Sequence, residues 1–82
     1  MKYETKLKKS LNLTVAALEK ESRSAAKEYR KSLAKCARIL KRQLALWEAG
    51  KIDARTAALA NGLGRQMVQL QKLERLRKRL QA

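Results

Sequence analysis

Leu11, Val15, Leu18, Ser22, Ala25, Tyr29, Leu33, Cys36, Leu40, Leu44 and Trp47 follow one another at steps of three or four residues. That spacing puts them on one face of an α-helix. Tyr3 and Leu7 extend the face backwards. A second stripe follows: Leu59, Leu63, Met67, Leu70, Leu73, Leu76 and Leu80. No segment shows the period-two alternation of a half-buried strand. The chain has no Pro and only three Gly, and Ala, Leu, Lys, Arg, Gln and Glu dominate it. These are the strongest helix formers. The fold class expected is all-α.

The stripes are separated by Glu48-Ala49-Gly50-Lys51-Ile52-Asp53-Ala54-Arg55. Gly50 suits the left-handed position just past a helix end. Asp53 suits an N-cap, where its carboxylate accepts from free backbone N–H groups and meets the positive helix end. Ile52 and Ala57 are placed for a weak hydrophobic staple. The reading is a single helical domain over 1–82: helix 1 at about 3–49, a turn at 50–53 and helix 2 at about 54–80. Two amphipathic helices joined by a short turn pack as an antiparallel hairpin. Helix 2 spans about 40 Å, which folds back only to the neighbourhood of Arg23. The stripe on residues 3–22 is then uncovered. Either those residues fold back as a third helix or a second chain covers them. Ser22-Arg23-Ser24-Ala25-Ala26 is the candidate break, and residues 10–14 are another possible irregularity. A long first helix completed as a homodimeric bundle is the preferred expectation, since an 82-residue chain builds only a thin core alone.

Gly62 and Gly64 cost a helix roughly 1 kcal/mol each relative to Ala. One use for them is close packing: Ala57, Ala60 and Gly64 form a small face that suits the bulky Leu40, Leu44 and Trp47. A second use follows from register. Ala58, Gly62, Leu63 and Val68 resemble the helix-turn-helix pattern of phage and bacterial repressors. Asn61 and Gln71 depart from that pattern, which usually has apolar residues there. The resemblance implies a recognition helix on which Arg65, Gln66, Gln69 and Lys72 face the major groove. The segment 49–57, followed by a Leu-rich helix, also resembles the second half of small helical-hairpin proteins of phages and prophages. That implies a phage or mobile-element origin.

The charge balance is extreme: 21 Lys+Arg against 7 Asp+Glu, a net +14. Such a chain repels itself and gains from a polyanion. Lys27, Lys31, Lys35, Arg38 and Arg42 form a stripe opposite the apolar face, about 22 Å long, which matches about six base pairs of duplex. Lys72, Arg75, Arg77, Lys78 and Arg79 form a second cluster, part of which complements the negative helix end. Lys2, Lys6, Lys8 and Lys9 form a third, at an end expected to fray into a mobile arm. Tyr29 and Trp47 lie on the apolar stripe, so base stacking on exposed aromatics ranks below duplex backbone binding.

There is no His, and the carboxylates are isolated. Ser10, Ser22, Ser24 and Ser32 have no base to activate them, and the lone Cys36 offers neither a disulfide within the chain nor a metal site. Cys36 reads as a small core residue. The expectation is a non-enzyme without cofactor or metal, which binds nucleic acid, with duplex DNA ranked above RNA, in an accessory or regulatory role. The rival is a module that docks on an acidic host protein through basic or apolar surface. Membrane binding ranks third. The charged N-terminus has no apolar run behind it, which points to the cytoplasm.

Overall fold

In the computed structural model, which describes residues 2–81, three helices follow in order. They are α1 (Lys2–Ser24), α2 (Lys27–Glu48) and α3 (Ala54–Gln81). The expected helix over 3–49 is therefore two helices, and the break falls at the candidate Ser22–Ala26 segment. No Gly or Pro makes it. The Ser22 hydroxyl donates to the Glu19 carbonyl at 2.7 Å, and Ser24 lies 3.4 Å from the Lys20 and Glu21 carbonyls. Glu21 is among the last four carbonyls, which a helix leaves free, and the bonds to Glu19 and Lys20 are back-bonds of the kind that weaken and bend a helix. Ala26 then adopts extended backbone, φ −58° and ψ 149°, with no side-chain cap on α2. Helix is uninterrupted across 10–14.

The break lets the first stripe fold onto itself. Leu7, Leu11, Val15, Leu18 and Ala25 meet Leu33, Ala37 and Leu40 in one core. At 23 and 22 residues, α1 and α2 match in length and pack antiparallel. The stripe on residues 3–22 is thus covered within the chain, and a second copy is not needed to cover it. Cys36 is half-buried beside this core.

The turn into α3 forms as its residues suggest. Gly50 has φ +73°, and the backbone N–H of Thr56 donates to Asp53 Oδ1 at 2.8 Å. Ile52 packs on the core that includes Ala57. Hydrogen bonds from Thr56, its hydroxyl first and its N–H second, hold the Asp53 carboxyl below its ordinary value.

On α3 the structure departs from the apolar pattern. The buried residues are Ala57, Asn61, Gly64, Val68 and Gln71, while Leu59, Leu63, Leu70, Leu73, Leu76 and Leu80 are exposed. The second leucine stripe faces away from the bundle. Two features of α1 select this rotation. A Cβ on Gly64 would lie 2.9 Å from Thr14 Cγ2 and 3.1 Å from Leu40 Cδ2, so the groove between α1 and α2 admits little more than backbone there. The groove is also polar. The Thr14 hydroxyl donates to Asn61 Oδ1 at 2.6 Å, and Asn61 Nδ2 donates to Ser10 Oγ at 2.9 Å. Further along, Arg75 reaches the buried Glu21 at 2.9 Å. Leucines turned inward would leave the buried Glu21 without its cation and Thr14 with only the Ser10 carbonyl of its own helix, 2.9 Å away; an unmet buried group costs about 1–3 kcal/mol. These contacts also set direction: Ser10, Thr14 and Glu21 meet Asn61 and Arg75 in rising order, so α3 runs parallel to α1 and antiparallel to α2.

Candidate nucleic-acid interface

Lys27, Lys31, Lys35, Arg38 and Arg42 are all exposed, on the side of α2 opposite Leu33, Ala37 and Leu40. Their steps of four, four, three and four residues keep them within a narrow strip. Among the described residues the ion pairs lie elsewhere: Lys8 with Glu48, Lys41 with Glu19, Arg75 with Glu21, and Arg77 with Glu74. Among the described residues no ion pair involves the α2 strip, and Glu28 is the acid at its border. The strip also begins at the N-terminus of α2, where the helix dipole is positive and cations are unfavourable. Lys27 therefore costs the helix stability, and a structural role does not account for it.

The second cluster divides. Arg75 is half-buried, and its guanidinium pairs with Glu21, which is only 3 % exposed. Glu21 Oε2 and Arg75 Nε make no further hydrogen bond. Arg75 thus holds α3 to α1, a role its place in a basic run did not suggest. Arg77 is exposed and pairs with Glu74 one turn away; that hydrogen bond, foremost, holds the Glu74 carboxyl below its ordinary value. Lys78 and Arg79 are exposed in the last turn of α3, where the dipole favours them.

The helix-turn-helix expectation is corrected. α3 runs as one helix through Gly62 and Gly64, with no turn between Ala58 and Val68. Arg65, Gln66, Gln69 and Lys72 are exposed on it, but they do not form a separate recognition helix. Instead, Arg65, Gln69 and Lys72 border a shallow groove against Ser10, Leu13, Thr14 and Ala17 of α1. Of the two uses considered for the glycines, Gly64 serves close packing, and Gly62 faces open space. The expected N-terminal arm is helical from Lys2, with Lys8 tied to Glu48 near the far end of α2. Met1 lies outside the described residues.

The topology gathers what the sequence separates. The start of α2 and the end of α3 share one end of the bundle, where Tyr29 and Ser32 line a groove with Glu74. Lys27, Lys31, Arg77, Lys78 and Arg79 thereby belong to one basic end. Arg23 and Arg30, not singled out from sequence, join it because the break folds the end of α1 beside the start of α2. Arg38 and Arg42 carry positive charge from that end along α2.

Among the described residues no group of acidic, His or Cys side chains is placed to hold a metal ion, and no helix is long and apolar enough to cross a membrane. No known protein family matches this chain, and neither a curated protein nor a solved structure shows significant similarity to it.

Proposed function

We propose that this protein binds nucleic acid without catalysis, mainly through the phosphate backbone. The α2 strip is the principal contact and the basic end of the bundle the second. The observation that carries this reading is the strip itself: five exposed cations along one side of α2, none in an ion pair among the described residues, with Glu28 alone of the α2 acids at its border, starting where a helix disfavours positive charge. Phosphates spaced along a duplex supply the missing counter-charge, and their contacts fix position without reading sequence. Arg65, Gln69 and Lys72 have a lesser part, as side chains at the edge of the α1–α3 groove. Duplex DNA is favoured for the straight run of the α2 strip; aromatic burial does not decide against single strands, because Trp47 is half-buried but Tyr3 and Tyr29, the latter expected in the core, are exposed. The biological role in keeping with this chemistry is accessory or regulatory, in the setting of a phage or mobile element.

The test neutralises the strip. A Lys27→Gln, Lys31→Gln, Lys35→Gln variant should keep its helix content and bind a short duplex more weakly by at least tenfold, as measured by fluorescence anisotropy. Unchanged affinity in a folded triple variant rules out the α2 strip as the contact.

A further inference from the structure

The outer face of α3 carries a seam that none of the described residues covers. Leu59, Leu63, Gln66, Leu70, Leu73, Arg77 and Leu80 alternate at steps of four and three residues. That is the heptad spacing of a coiled coil, held for more than three heptads. All five leucines are at least 60 % exposed. The bundle packs on the opposite side of the same helix, through Ala57, Asn61, Gly64, Val68 and Gln71. So α3 has two seams, and the one turned to solvent is the more apolar.

We propose that this seam docks a second copy of the chain, α3 against α3, in an antiparallel coiled coil. Area supports a protein partner. A monomeric chain of 9.4 kDa is expected to expose about 5000 Å², whereas this one exposes 6314 Å². The five seam leucines alone present about 600 Å², close to the ~800 Å² per partner of a standard interface.

The width of the seam argues for a helix as occupant. A helix lying on a membrane buries a broad apolar face. Here the apolar strip is the narrow one of a coiled coil, with Gln69 and Lys72 beside it on one side and Glu74 and Lys78 on the other, and only the exposed Leu76 widens it, near its C-terminal end.

Charge sets the direction. Lys72, Arg75, Arg77, Lys78 and Arg79 crowd the last third of α3, while residues 54–64 hold only Arg55. A parallel pair would stack the two basic ends and set Arg77 against its own copy. The antiparallel pair lays each basic end along the half of the other helix that holds only Arg55 and Arg65. The longest overlap then places Leu63 against the partner's Leu73, Gln66 against the partner's Leu70, and Leu59 against the aliphatic stem of the partner's Arg77. The twofold axis passes near residue 68.

The proposal does not depend on nucleic-acid binding, because its readouts are mass and cross-linking. Light scattering of the nuclease-treated full chain at about 100 µM should give a dimer. Leu63→Glu with Leu70→Glu should halve the mass and keep the helical circular dichroism. Cross-linking tests direction. In a Cys36→Ser background, Gln69→Cys sits near the axis and should oxidise to a linked dimer. Leu80→Cys should not, since its copies would lie about 36 Å apart. A monomer at that concentration overturns the proposal, as does a monomer that sediments with anionic vesicles. Cross-linking through Leu80→Cys but not Gln69→Cys overturns the antiparallel arrangement.

Discussion

Two residues that look ordinary in the sequence hold α3 in place. Glu21 is a carboxylate nearly stripped of water, and Arg75 is the one cation among the described residues that pairs with it. Arg75→Ala leaves a buried charge without its partner and is expected to destabilise the fold by about 3 kcal/mol, read from the urea midpoint. The same variant should bind duplex almost as well as the parent under folding conditions, which separates Arg75 from Lys27, Lys31 and Lys35. Gly64 has the other fixed role. Gly64→Ala gains helix propensity but drives a methyl into Thr14 and Leu40, for a net loss of about 1–2 kcal/mol in thermal or urea unfolding. Neither role was legible from spacing. Glu21 sits one position before Ser22 on the apolar stripe, and only the arrival of Arg75 from a helix more than fifty residues later explains its burial. The Asp53 cap was legible, because a cap is a local device. Its carboxyl holds a proton less tightly folded than unfolded, so the cap contributes fully above its ordinary value of 3.8 and loses that contribution as the pH falls through the lower folded value. Unfolding of Asp53→Asn and of the parent should therefore converge at acid pH.

At the level of elements, helix identity and the Gly50–Asp53 turn could be read from sequence, and the break at Ala25–Ala26 could be located but not decided. The reason is energetic. A single helix over 3–49 and two helices joined at residue 25 have the same propensities and the same stripe, and they differ only in whether the stripe can close on itself. Ala26 begins α2 without a side-chain cap. Ala26→Asp is expected to stabilise the fold by about 1 kcal/mol, by supplying an acceptor and a negative charge at the helix start. In an unbroken helix the same change would destabilise by about 0.7 kcal/mol through propensity alone, so the sign of the shift in unfolding midpoint distinguishes the two. The rotation of α3 was not legible at all. Apolar periodicity points to the leucine face, but the polar groups of α1 and the narrow groove at Gly64 take the other one. Periodicity records which face is apolar; it does not record which partner reaches that face.

For the molecule as a whole, charge governs behaviour in solution. Twenty-one cations on 82 residues are confined to a body of 47 × 22 × 15 Å, and the ion pairs sit away from the α2 strip. Folding draws these charges together, so added salt is expected to raise the melting temperature by screening them. The same charge has the opposite salt response in binding, because each phosphate contact releases condensed counterions. The most direct measurement is the affinity for a short DNA duplex across a series of salt concentrations. With five to nine phosphate contacts, the logarithm of the association constant should fall against the logarithm of salt with a slope of about −4 to −8. A slope near zero, or no binding at low salt, would contradict a role built on phosphate contacts.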